Sequence, residues 1–150
     1  MVLVLVAIVA AGCRNNDDLS GFHYFENEVW ERFKFIQFEF PVDDVNQSWN
    51  VWVVVLHTSD FENKSLPLNI EMVTPAGDSR VLDIPVFIRS VESDDWLGEP
   101  EEDYYVVNTL THPKIRFTET GTLKFEIENF NSKYYTPGIR AIGIRIEPVN

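Results

Sequence analysis

Short segments rich in β-branched and aromatic residues recur along this chain, and turn-forming residues separate them. The most apolar segment, WNVWVVVLHT, has the length and composition of a central strand that is buried on both faces. LNIEMVTP and LKFEIENF alternate apolar and polar residues, which is typical of strands with one buried face. About eight such segments predict an all-β fold, an antiparallel β-sandwich of jelly-roll type.

Local patterns add four predictions. In WERFKFIQFEFPV the apolar residues change parity near Ile36, which indicates a bulge or a strand buried on both faces. In FENEVWERF, Phe25, Val29 and Phe33 recur at helical spacing and predict the chain's one helix. AGDS predicts a hairpin turn, and Pro85 marks either a sheet edge or a break between two strands.

The chain opens MVLVLVAIVAAGC, in which twelve uncharged residues precede Cys13. A membrane-spanning helix needs about 20 apolar residues, so the run favours a secretory signal. AAGC resembles the bacterial lipobox, which predicts lipidation of Cys13, while the alternative is a buried free thiol. The predicted organisation is a lipoprotein signal peptide at 1–12, a lipidated cysteine and polar tether at 13–20, and one β-sandwich domain at 21–150.

The charge balance is acidic, with 24 Asp and Glu against 12 Lys and Arg and a net charge of −12. Nucleic-acid binding depends on neutralising phosphates, so this balance argues against such a partner. It argues equally against adsorption onto an anionic bilayer. It allows a divalent cation or a basic partner, and it also serves solubility alone.

The acidic segment DDWLGEPEED, at 94–103, concentrates six carboxylates in ten residues. Calcium takes six to eight oxygen ligands, so Asp94, Asp95, Glu99 and Asp103 are candidate Ca²⁺ ligands. Their spacing differs from that of an EF-hand, and a solvated loop is the other interpretation.

Aromatic residues in loops suggest a surface for a ligand or a partner. Trp96, Tyr134 and Tyr135 are the candidates, and a platform for sugar rings is one interpretation. The alternative is that these rings pack inside the protein, as most strand aromatics do.

Catalytic patterns are not found in the sequence. The three histidines, His23, His57 and His112, lie on separate segments without zinc-binding spacing, and no nucleophile elbow occurs. We therefore expect no enzymatic activity and no cofactor apart from the Ca²⁺ considered above.

Five segments together resemble a known family. After the lipobox come FHYFENEVWERFKFIQFEFPV, then WNVWVVVLHTSDFENKSLPLNIEMVTPAG, then DDWLGEPEEDYY, then GTLKFEIENF, and finally GIRAIGIRIE. Their order resembles the gliding-motility lipoprotein GldH family of Bacteroidetes, over most of the chain after Cys13. The resemblance implies an outer-membrane lipoprotein, on the periplasmic face or the cell surface, that contacts proteins of the gliding and type IX secretion machinery. It implies no reaction, and it assigns Trp96, Leu97 and Gly98 only to a packed loop motif.

Overall fold

The structure is a computed structural model that describes residues 18–150. The predicted signal peptide and Cys13 therefore lie outside the described residues. This part of the chain contains eleven strands and one short 3₁₀ turn at Glu26–Glu28. No helix within it is long and apolar enough to cross a bilayer. The strands are β1 (Leu19–Tyr24), β2 (Val29–Glu31), β3 (Ile36–Val42), β4 (Ser48–His57), β5 (Ser65–Val73), β6 (Ser79–Phe87), β7 (Glu99–Pro100), β8 (Tyr105–Ile115), β9 (Gly121–Asn129), β10 (Tyr135–Pro137) and β11 (Ile139–Val149).

The strands form two main antiparallel sheets and a small ribbon. The five-stranded sheet has the order β1-β11-β4-β8-β7, the four-stranded sheet has the order β3-β9-β5-β6, and β2 pairs with β10. The eight long strands cross from one sheet to the other at every connection except the β5–β6 hairpin, which is the jelly-roll arrangement. The predicted all-β sandwich is thus confirmed, but about eight strands was too low a count because β2, β7 and β10 are additional short strands.

The core lies between the inner faces of the two sheets. On β9 the side chains of Leu123, Phe125 and Ile127 are buried, as the alternation predicts. β4 lies in the middle of its sheet, between β11 and β8, and its residues 53–57 are buried on both faces. The prediction of a central strand is therefore confirmed. Pro85 lies in β6, an unbroken strand at the edge of its sheet, where a missing N–H costs no sheet bond.

Two predictions for the segment before β3 are wrong. β3 begins at Ile36, so the parity change marks the start of the strand, and Phe33 is 63% exposed. The predicted helix is a 3₁₀ turn followed by β2, because Trp30 turns inward and stacks on Phe25 with ring centroids 4.8 Å apart. The indole N–H of Trp30 donates to the carbonyl of Lys34, 3.0 Å away, and this bond fixes the turn that carries Phe33.

The long connections gather at one end of the sandwich. Short turns at 43–47, 74–78 and 116–120 lie at the opposite end, together with Asp18 and Asn150, because β1 begins and β11 ends there. The long-loop end consists of the connections 25–35, 58–64, 88–104 and 130–138.

Substitution at two phenylalanines will test where β3 begins. We expect Phe33→Ala to change the free energy of unfolding by about 0.5 kcal/mol or less, because the ring is exposed. Phe38→Ala removes a buried ring of β3 and should cost about 3–5 kcal/mol. Urea unfolding of both variants measures the difference, and equal losses would contradict the assigned start of β3.

Candidate functional site at the long-loop end

The structure places every sequence-predicted surface residue at the long-loop end. They lie on two different connections and do not form one cluster. Trp96, Asp94, Asp95, Glu99 and Asp103 belong to the connection 88–104, and Tyr134 and Tyr135 belong to the connection 130–138.

Trp96 packs into an aromatic stack and is partly buried. Its ring centroid lies 5.6 Å from that of His57 and 6.1 Å from that of Tyr105. The guanidinium of Arg89 lies over the same indole, 5.2 Å from its centroid. Trp96 therefore holds the acidic connection against the end of β4, which agrees with the packed loop motif and leaves the ring little free surface for a sugar.

His57 fastens this stack to the backbone. It is fully buried, with Nε2 3.0 Å from the carbonyl oxygen of Leu97 and Nδ1 3.4 Å from that of Thr58. Burial lowers the pKa of His57 below its ordinary value, while the two carbonyl contacts oppose that shift. A neutral imidazole donates one proton, and the shorter distance assigns it to Leu97. The ring nitrogens thus serve the local fold and face no candidate substrate site.

The candidate calcium ligands do not converge. Asp94 lies 3.4 Å from Arg89 and 3.5 Å from Lys64, and so is neutralised by cations. Asp103 forms two hydrogen bonds of 2.9 and 2.8 Å with Arg140. Among residues 18–150 no three His, Cys, Asp or Glu side chains gather around a point where a metal ion would fit.

Arg140 joins three segments of the long-loop end. It contacts Glu28 at 2.7 Å and Asp103 at 2.8 Å, and its guanidinium lies 4.6 Å from the ring centroid of Tyr104. Hydrogen bonding to Arg140 lowers the pKa of Asp103, and the two carboxylates raise the pKa of Arg140. Sequence reasoning missed this cluster because Arg140 and Glu28 are 112 residues apart and no local pattern links them.

Tyr134 and Tyr135 project from the turn that leads into β10. Each ring is at least half exposed, and the two centroids lie 4.7 Å apart at an interplanar angle of 81°. The backbone N–H of Arg32 donates to the carbonyl of Tyr134, 2.7 Å away, which fixes the turn. The pair presents one ring edge-on to the other, so only a single ring face at a time could lie flat on a sugar.

Gly138 ties three connections together at their base. Its N–H donates to the carbonyl of Glu28 and its carbonyl accepts from the N–H of Thr58, each at 2.9 Å. Its φ of +82° favours glycine, and a Cβ would collide with the backbone of Asp60 and Phe61. These hydrogen bonds hold the loops of the long-loop end in fixed positions relative to one another, and in this sense we call that end braced.

Comparison with known protein families gives one match. The model of the family described as GldH lipoprotein matches residues 19–146. That range begins with β1 and ends within β11, so it includes both sheets. No curated protein sequence matches the chain.

Solved structures resemble the chain only distantly. The VP2 subviral particle of infectious bursal disease virus has 16% identity and a TM-score of 0.41, over 99% of this chain and 37% of that one. An insecticidal delta-endotoxin of Bacillus thuringiensis has 14% identity and a TM-score of 0.37, over 89% and 20%. Dimeric latent PorU of Porphyromonas gingivalis has 8% identity and a TM-score of 0.41, over 87% and 12%. The chain thus spans well under half the length of each.

Two glycine substitutions will test whether Gly138 braces the loops. Gly77 also has a positive φ, +94°, but a Cβ there would meet no atom within 4 Å, so it is the matched control. We expect Gly77→Ala to cost about 1–2 kcal/mol from backbone strain alone. Gly138→Ala adds a backbone collision and should cost about 3 kcal/mol or more. Denaturant unfolding measures both, and a similar cost for the two variants would contradict the bracing role.

Proposed function

We propose, because the chain belongs to the GldH lipoprotein family, that it is a non-enzymatic envelope protein anchored by lipid at Cys13. Its β-sandwich would bind other envelope proteins at the outer membrane, as a component of the gliding and type IX secretion machinery. The family match over residues 19–146 is the observation that carries this proposal. The outer-membrane location and the role in the gliding and secretion machinery rest on the resemblance of the sequence segments alone.

The position of β1 supports the anchor and gives the domain an orientation. Cys13 precedes the first residue of β1, Leu19, by six residues, which can span at most about 20 Å. β1 begins at the end of the sandwich that carries the short turns 43–47, 74–78 and 116–120, which we call the short-turn end. An anchor at Cys13 would therefore hold that end near the membrane and direct the long-loop end away from it.

Contacts of the polar residues support a function without catalysis. The ring nitrogens of His57 face backbone carbonyls, and Asp103 and Glu28 are paired with Arg140. A general base needs a free lone pair within reach of a substrate proton. These groups are instead committed to bracing loops, which suits a protein that presents a fixed surface.

Labelling with a fatty-acid probe will test the anchor. We expect the wild type to take up the probe and to fractionate with membranes, and Cys13→Ser to lose both properties. Cross-linked envelopes should yield gliding or secretion lipoproteins with the wild type, and several-fold fewer with Cys13→Ser. Ser59→Ala, at an exposed residue far from Cys13 in sequence, is the control. A wild type that takes up no probe, together with a Cys13→Ser protein that still sediments with membranes, would refute the anchor.

Carbohydrate binding is the second candidate function, and the exposure of Tyr134 and Tyr135 favours it. If it is correct, a glycan array should give hits that weaken at least tenfold in Tyr134→Ala/Tyr135→Ala, which corresponds to a loss of about 1.4 kcal/mol on removal of both rings. Tyr24→Ala, which alters an exposed ring on a different surface, should leave those hits unchanged. An array without hits would remove this candidate.

A further inference from the structure

The outer faces of the two sheets differ in chemistry. On the four-stranded sheet, residues paired across strands alternate outward as polar or charged side chains. These are Gln37 and Glu39 on β3, Lys124, Glu126 and Glu128 on β9, Asn69 and Glu71 on β5, and Asp83 on β6. The large hydrophobic side chains exposed on this face, Val81 and Phe87, both lie on the edge strand β6, and the rest of the face is suited to water.

The outer face of the five-stranded sheet is apolar instead. The register aligns Tyr24, Ala141, Leu56 and Val106 in one row across four strands, and Phe22, Gly143, Val54 and Asn108 in the next. A third row holds Ser20, Arg145, Trp52 and Leu110. We call these three rows, together with Tyr104, the aromatic face.

The chain covers the centre of the aromatic face with its own rings. Val54 and Leu56 are buried because Tyr104 and Val106 pack over them. Phe22 leans over Gly143, whose missing Cβ leaves room for the ring. This cover is itself apolar, so Phe22, Tyr24 and Leu110 remain exposed, Tyr24 to 63%. Apolar side chains exposed together on one face of a sheet are of the kind that marks an interaction site.

Two matching ion clusters flank the aromatic face. Arg140 lies over Tyr104 between Glu28 and Asp103. Arg145 lies over Trp52, 5.1 Å from the ring centroid, with Asp18 at 3.1 Å and Glu147 at 4.0 Å. Each cluster has two carboxylates for one arginine and thus carries net negative charge.

The edge strand β7 extends this acidic border. Glu99 pairs with Val106, so its side chain points to the same side of the sheet as the aromatic face. Glu101 and Glu102 follow within three residues, and both are exposed. The aromatic face therefore has an apolar centre and an acidic rim.

We propose that the aromatic face docks a protein partner whose own surface has an apolar centre and a rim rich in Lys and Arg. Opposite rim charges align the two surfaces and speed their association. A second copy of this chain is a poorer occupant, because it would set two acidic rims against each other on molecules of charge −12 each. A sugar is a poorer occupant, because guanidinium groups already cover one face of Trp52 and of Tyr104. The identification rests on the proposed protein-binding function and names its surface.

The size of the aromatic face fits this role. Three rows about 6.8 Å apart, on four strands spaced about 4.8 Å apart, outline roughly 400 Å². One partner contributes about 800 Å² to a standard stable interface. The aromatic face therefore accounts for about half of one side of such an interface, and the rim around it supplies the rest.

Site-specific photocross-linking in the native envelope will test the proposal. The full chain carries benzophenylalanine at Tyr24 in one version and at Val81 in the other, two residues that are each 63% exposed on opposite outer faces. We expect position 24 to form a protein adduct at least tenfold more efficiently than position 81. Peptides of that adduct, identified by mass spectrometry, should be flanked by Lys and Arg. Near-ultraviolet circular dichroism verifies that both versions fold alike.

Charge dependence provides the second arm of the test. In the position-24 version, Glu99→Gln/Glu101→Gln/Glu102→Gln should reduce the adduct several-fold, since these exposed carboxylates would face the basic rim. Raising the salt concentration from about 0.05 to 0.5 M should do the same. Glu39→Gln/Glu71→Gln/Glu126→Gln, an equal charge change on the other outer face, should leave the adduct unchanged.

Each other outcome overturns a stated part of the proposal. An adduct of twice the chain's mass would show a second copy, and an adduct carrying polysaccharide would show a sugar. Equal protein adducts at both positions, or adducts indifferent to rim charge, would refute the assigned surface while leaving the protein-binding function in place. A third version carries benzophenylalanine at the exposed Tyr134 of the long-loop end. Absence of protein adducts at positions 24, 81 and 134 would refute both the assigned surface and the protein-binding function.

Discussion

The apolar run of β4 must be covered on both of its faces, and much of the structure follows from this requirement. Its inner side chains, Val51, Val53 and Val55, complete the core between the sheets. Its outer side chains, Val54 and Leu56, would meet water in a simple two-layer sandwich. The chain instead brings Tyr104 and Val106 over them from the neighbouring strand and its approach. Because Tyr104 and Val106 are themselves largely apolar, they move the apolar surface outward without removing it.

The jelly-roll strand order also places two surfaces, the long-loop end and the aromatic face, on different sides of the domain. Crossing between sheets at nearly every connection sends alternate loops to opposite ends, and the longer ones share an end. Long loops are ordinarily the most mobile parts of a domain. Here Gly138, Arg140 and the β2–β10 ribbon brace them against one another. A braced end and a separate apolar face give the domain two surfaces of different character.

Patterns along the chain predicted the strands well where burial alone decides the outcome. Alternation on β9 and the continuous apolar run of β4 each had one physical solution in a sandwich. Prediction failed at Phe33, because helical spacing and strand composition compete there and the outcome depends on Trp30 turning inward to stack on Phe25. That contact forms only in the folded protein, so the secondary-structure propensities of the segment do not predict it.

Functional surfaces were predicted less completely, for a similar reason. Loop composition singled out Trp96 and Tyr134, and the structure shows the first partly buried and the second exposed. Neither the clusters around Arg140 and Arg145 nor the aromatic face has a local pattern, since each combines residues from strands that pair only after folding. One hint was present in the sequence: a strand that is apolar on both faces needs cover on both.

The distribution of charge connects these surfaces to a basic partner. Several of the chain's cations are engaged by its own carboxylates, including Lys64, Arg89, Lys133, Arg140 and Arg145. With 24 acidic residues against 12 basic ones, the surplus carboxylates face solvent and set the field around the molecule. A field of one sign accelerates encounter with a surface of the other sign, and it falls off within a Debye length of about 8 Å in physiological salt. Apolar contact then determines how long the encounter lasts. An acidic rim around an aromatic centre supplies both steps on one face of the sheet.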